Sequence, residues 1–109
     1  MSSEEEITVL LFMTARAGRE DECRELATSL TESTRAEDEG CINYVFHQRA
    51  DNAREFVLYE RWRDRDAIGA HLARLQAVYG APAPGGGALP AALGEPFEKT
   101  ESIVLSVVA

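Results

Sequence analysis

Of the side chains able to move a proton, His71 has the most informative setting. It falls at helical spacing with Ile68, Leu72, Leu75, Val78 and Tyr79, so it shares an apolar stripe. An imidazole there can serve as a base, because an ordinary pKa of about 6.5 leaves it largely neutral at pH 7. It can equally be a core histidine with both nitrogens satisfied. Glu60 alternates with Phe56, Leu58 and Trp62 along one strand face. A carboxylate on an apolar face needs a partner. That partner is either His71, whose tautomer the pair would then set, or an Arg at the rim of the fold. Trp62 is either a core ring or a wall for a flat substrate, with its indole N–H as a donor. Tyr44 alternates with Ile42 and Phe46, and is either a core residue or a substrate contact. Asn43, Val45 and His47 take the opposite face of that strand.

The two cysteines, Cys23 and Cys41, stand alone, with no C-x-x-C pair and no Cys/His cluster that would suggest zinc. Nothing near Cys41 in sequence activates its thiol. No metal site is expected.

These residues need elements to position them. Ile7 to Ala15 is rich in Val, Leu, Phe and Ile and reads as a strand. Cys23, Leu26, Ala27, Leu30 and Thr34 then form one stripe of a helix. Glu20, Asp21 and Glu22 suit its first turn. Gly40 can take the left-handed conformation that ends such a helix. Strands follow at about Cys41 to Arg49 and Glu55 to Arg63, joined by turn chemistry at Asp51-Asn52. Asp64 or Asp66 can cap a second helix, which carries His71 and stops near Gly80. Ala81 to Pro90 holds three prolines and three consecutive glycines, so it is a loop. It is either a lid for ligand access or a passive linker. Ala91 to Leu93 suits a short helical turn, and the last strand runs from about Lys99 to Val108.

Strand, helix, two strands, helix, strand is the ferredoxin-like β-α-β-β-α-β order: an α+β fold with a four-stranded antiparallel sheet and helices on one face. Residues 1–109 form a single domain, with 1–6 read as a disordered N-terminus. Both sheet faces are apolar. Ile7, Val9, Leu11 and Met13 oppose Leu10 and Phe12, and Phe56, Leu58 and Trp62 oppose Val57 and Tyr59. In the last strand Ile103, Leu105 and Val107 oppose Val104 and Val108. The helices cover only one face, so a second copy of the sheet is expected to cover the other. Val57 and Val104 are the expected contacts of that homodimer.

Composition narrows the function classes. Of the 109 residues, 45% are hydrophobic and 28% charged, which are globular values. A net charge of −8 repels phosphate backbones and anionic lipid, so neither nucleic acid nor a membrane is an expected partner. The acidic opening Met1-Ser2-Ser3-Glu4-Glu5-Glu6 is unlike a secretory n-region, and a cytoplasmic protein with reduced thiols is expected.

Gly40-Cys41-Ile42-Asn43-Tyr44 resembles the glycine-led second-strand motif of the antibiotic biosynthesis monooxygenase family. Phe56-Val57-Leu58-Tyr59-Glu60-Arg61-Trp62-Arg63-Asp64 resembles its E-x-W-x-D motif, and Ala67-Ile68-Gly69-Ala70-His71-Leu72 its helix-borne histidine. The likeness covers roughly residues 6 to 108. Two features depart from the pattern. Many relatives carry a second histidine in a Pro-His context, where this chain reads Leu75-Gln76-Ala77. Haem-degrading relatives use an Asn in the first strand, and Ile7 to Thr14 contains none.

The resemblance implies a dimeric α+β barrel with a small cavity between sheet and helices in each protomer. It implies oxidation of a small aromatic or polyketide-type metabolite by dioxygen, with no metal, flavin or haem cofactor. His71 and Glu60 would then be catalytic, and Trp62, Tyr44, Phe46 and Leu58 would bind substrate. Two other readings stand beside it: an isomerase-type enzyme, and a non-catalytic small-molecule-binding or stress-related barrel.

Overall fold

A computed structural model of the chain describes residues 5–85 and 87–109. The elements are β1 (Ile7–Ala15), α1 (Glu20–Glu37), β2 (Cys41–Arg49), β3 (Asn52–Trp62), α2 (Arg65–Tyr79), α3 (Ala91–Gly94) and β4 (Phe97–Ser106). The four strands form one antiparallel sheet in the order β2-β3-β1-β4, which is the ferredoxin-like arrangement.

Strand register decides which side chains meet the helices. Leu11 opposes Leu58 and Met13 opposes Phe56 across β1 and β3. These four share a face with Trp62, and their core cluster includes Cys23 and Leu30 of α1 and Ala67 and Leu75 of α2. The other face carries Leu10 against Tyr59, Phe12 against Val57, and Ile103 against Leu10. Phe12, Ile103 and Leu105 there are exposed.

Local chemistry sets the helix ends. Asp64 caps α2, its Oδ1 accepting from the Ala67 backbone N–H at 2.9 Å. Gly80 ends α2 with a φ of 101°, in the region that disfavours side chains, and its N–H reaches Gln76 O at 2.9 Å. Gly40 is not left-handed, contrary to expectation. Its glycine serves a close approach instead, because a Cβ there would overlap the Cβ of Ala67. The turn after α1 is thereby pressed against the start of α2.

Three further expectations change. Ile42 was expected to share Tyr44's face, but the register shifts between Cys41 and Asn43. Ile42 is the extra residue of that bulge and is exposed, while Cys41 packs against the core opposite Trp62. Val104 opposes Val9 and so lies on the helix-side face, not with Val57. Val78, expected inward on α2, is exposed.

The loop between α2 and α3 is closed at its base. Pro82 bridges Pro90, and Ala91 N–H donates to Ala81 O at 3.0 Å. The Gln76 side chain donates to Ala88 O at 2.7 Å, and Leu89 packs on the core. Of the glycines expected to loosen a lid, Gly86 lies outside the described residues. The expected disordered terminus falls partly outside them as well; Glu6, which is described, accepts from Arg61 Nε at 2.7 Å.

Candidate active site

Glu60 and Trp62 lie two apart on β3, so both point into the layer between sheet and helices. Trp62 is fully buried and Glu60 is 9% exposed. Trp62 Nε1 donates to Glu60 Oε1 at 2.8 Å. Burial disfavours the carboxylate more than that bond favours it, and the Glu60 pKa is pushed up to about 7. Near neutrality Glu60 is therefore poised between carboxylic acid and carboxylate.

His71 faces this layer from α2 and is 3% exposed. Its ring lies 4.6 Å from the Trp62 ring and 5.5 Å from that of Tyr44. Its partner is Asp38, not Glu60: His71 Nδ1 and Asp38 Oδ2 are 2.6 Å apart. Arg74, one helical turn after His71 on α2, holds the same carboxylate. Its Nε donates to Asp38 Oδ1 at 2.8 Å and its Nη2 to Oδ2 at 2.9 Å. Burial works to raise the Asp38 pKa, but the bonds from Arg74 and His71 outweigh it and hold the carboxyl below its ordinary value. Burial also lowers the His71 pKa, against the pull of Asp38. An ionised Asp38 accepts only, so a neutral His71 carries its proton on Nδ1 and leaves a lone pair on Nε2.

Tyr44 on β2 is buried, and burial pushes its hydroxyl pKa up. Its ring meets Phe46, Trp62 and His71 edge to face. Two grooves flank β2. One, of about 330 Å³, runs beside α1 and is lined by Ala27, Phe46 and Phe56 with Arg24, Arg35 and Gln48. The other, of about 220 Å³, is lined by Cys41, Ile42, Asn43, Tyr44 and Arg35. Phe46 lines the first groove and Tyr44, although buried, borders the second, whereas Leu58, Glu60, Trp62 and His71 line neither. Among the described residues of the loop expected as a lid or a linker, none lines either groove.

The structure gathers His71, Glu60, Trp62 and Tyr44 as the sequence suggests, and adds Asp38 and Arg74. Asp38 lies in the acidic run Glu37-Asp38-Glu39, whose charge reads as solvated surface. The one signal in sequence is that an acid at a helix C-terminus opposes the dipole. Burial raises the pKa of Cys41, so its thiol is not activated. Among the described residues, no three His, Cys, Asp or Glu side chains lie together in a way that would hold a metal ion. Among the same residues, no helix is long and apolar enough to cross a membrane.

The sequence and the fold are those of a known class. The antibiotic biosynthesis monooxygenase family model matches residues 6–77, and the chain belongs to that family. Membership supports a function broadly of the monooxygenase type, and proteins of this family bind small-molecule substrates and dioxygen. Solved structures repeat the fold along nearly the whole chain. PA3566 from Pseudomonas aeruginosa is 20% identical, with a TM-score of 0.76 and 98% of each chain covered. Rv0793 from Mycobacterium tuberculosis is 24% identical, with a TM-score of 0.73, covering 96% of this chain and 97% of its own. SnoaB, a cofactor-independent oxygenase from Streptomyces nogalater, is 21% identical in a mutant form, with a TM-score of 0.71, covering 94% of this chain and 93% of its own. At these identities the likenesses speak to the fold. No curated protein sequence matches the chain significantly.

Proposed function

We propose that the protein is a cofactor-independent monooxygenase that oxidises a small aromatic or polyketide-type metabolite with dioxygen. The observation that carries this reading is the neutral His71, held on Asp38 against the rings of Trp62 and Tyr44. His71 Nε2 takes an acidic O–H or C–H proton from the substrate, leaving an electron-rich anion. The anion passes one electron to dioxygen, and the two radicals combine as a peroxide. The peroxide takes the proton back from the imidazolium and loses water. A CH₂ group and O₂ thereby become C=O and H₂O. Glu60, as a carboxylic acid, donates a hydrogen bond to the developing oxyanion.

We assign substrate entry to the smaller groove, because Tyr44 borders it and its ring meets that of His71. Phe46 lines the larger groove, and Trp62 and Leu58 form the apolar wall behind Glu60. We assign the exposed sheet face, with Phe12, Ile103 and Leu105, to a homodimer contact.

The test uses protein dialysed against a chelator and a panel of two- and three-ring phenols and cyclic ketones. Oxygen uptake with one labelled atom from ¹⁸O₂ in the product is the expected result. Turnover that requires added metal or flavin would overturn it. One observation favours a second reading. A carboxyl with a pKa near 7 in the same buried layer as a neutral imidazole also offers an acid and a base for shuttling a proton within one substrate, as an isomerase does. Product formation that continues without oxygen selects that reading.

A further inference from the structure

We infer that Asp38 is a positioning residue: clamped by Arg74, it fixes His71 as the Nδ1–H tautomer and so keeps Nε2 as the free base. The inference rests on the reading of His71 as the base.

Three observations converge on Asp38. Its carboxylate side chain is only 7% exposed, although it follows directly on the last turn of α1. Carboxylates at that end of a helix meet the negative pole of the dipole, so the position is locally unfavourable. A local rule broken in a buried place points to a role beyond the helix. Second, Arg74 grips both oxygens in a fork, at 2.8 and 2.9 Å. Arg74 Nη2 also reaches Thr34 Oγ1 at 3.4 Å, tying the fork back to α1. The ion pair is complete without His71, so the imidazole need not be charged to balance Asp38. Third, the Gly40–Ala67 approach brings the end of α1 down onto α2, the helix that carries His71.

The charge logic follows from these contacts. With Arg74 supplying the cation, Asp38 remains an acceptor and orients a neutral ring. Without Arg74, the buried carboxylate would draw a proton onto His71 and remove the base. The other titratable groups near the ring are Glu60 on β3 and Tyr44 and Cys41 on β2. Burial favours the uncharged form of all three, so none competes with Arg74 for Asp38.

The experiment reads the tautomer directly, in the full chain and without substrate. Long-range ¹H–¹⁵N correlation spectra of ring-labelled protein distinguish protonated from bare imidazole nitrogens. His47→Gln leaves His71 as the sole histidine and assigns the signals. The wild type should show Nδ1–H and a bare Nε2 near pH 7. Asp38→Asn should move the proton to Nε2 or mix the forms, because an amide can present N–H to Nδ1. Arg74→Met should keep Nδ1–H but raise the His71 pKa, so that the base is recovered only at higher pH. Once a substrate is in hand, Asp38→Asn should lower kcat on the order of 100-fold or more, with KM little changed. A wild-type ring protonated on Nε2, or an Asp38→Asn ring identical to wild type, overturns the inference. The wild-type spectrum decides even if a variant does not fold. If the tautomers behave as stated and no oxygen is consumed, the positioning role stands and the monooxygenase reading fails.

Discussion

His71 Nδ1 lies 2.6 Å from Asp38 Oδ2, across 33 residues of sequence, and the contact joins the end of α1 to the middle of α2. With Arg74 on the same carboxylate, it makes one buried polar cluster between the two helices. Asp38→Ala leaves Arg74 and His71 without their acceptor. The cost should be about 2–3 kcal/mol, since hydrogen bonds to a charged group are lost and only Arg74 can turn to water. Urea unfolding of the variant against wild type measures it.

Glu60 on one side, and Asp38 with His71 on the other, give stability opposite pH slopes. Burial raises the Glu60 pKa to about 7, so folding favours its protonated form. That contribution is full below the unfolded value and is lost as pH rises through about 7, a change of roughly 3 kcal/mol at most. Asp38 and His71 are both lowered in the fold, so their contribution is present at higher pH and lost on acidification. Stability should therefore pass through a maximum between these limits. Glu60→Gln should abolish the decline on the alkaline side while leaving the acid side. Urea midpoints from about pH 4 to pH 9 test both arms.

Gly40→Ala should be destabilising although alanine suits most turns. Its Cβ would overlap Ala67, and α2 must shift to admit it. An overpacked contact of this kind costs about 1–3 kcal/mol. Ala67→Gly in the same chain should recover part of that loss, because it removes the opposing methyl. A double-mutant cycle showing simple additivity would rule out this contact as the cause.

Trp62→Phe keeps most of the ring packing and removes the donor to Glu60 Oε1. The Glu60 pKa should then rise further, because burial would act unopposed. Infrared bands of the carboxyl group across a pH series report that shift. A fall instead would mean that the indole N–H does not favour the carboxylate.

Val57→Glu should weaken the proposed dimer, since Val57 opposes Phe12 on the exposed sheet face. Val104→Glu, on the helix-side face, should weaken it less. Sedimentation velocity of wild type and both variants at micromolar concentration compares them. A monomeric wild type would remove the dimer altogether.

Much of the fold was legible in the sequence because strand and helix periods are local. The alternation through Phe56, Leu58, Glu60 and Trp62 placed those residues on one face, and the register agrees. The His71 stripe likewise put the imidazole toward the sheet. Alternation alone could not show where a period slips. The extra residue at Ile42 moves Cys41 to the core side, and only pairing with β3 reveals it. Nor could it say which face of β4 meets the helices, because both are apolar and the strand reads the same either way. The pairing of Val104 with Val9 decided that. The choice of His71's partner belonged to tertiary structure from the start. Glu60 had the right chemistry and the right face, but Trp62 beside it on β3 takes its oxygen. Asp38 looked like surface charge in an acidic run. It became buried because Gly40, lacking a side chain, lets the end of α1 settle against α2, and that approach is a property of packing rather than of any local pattern.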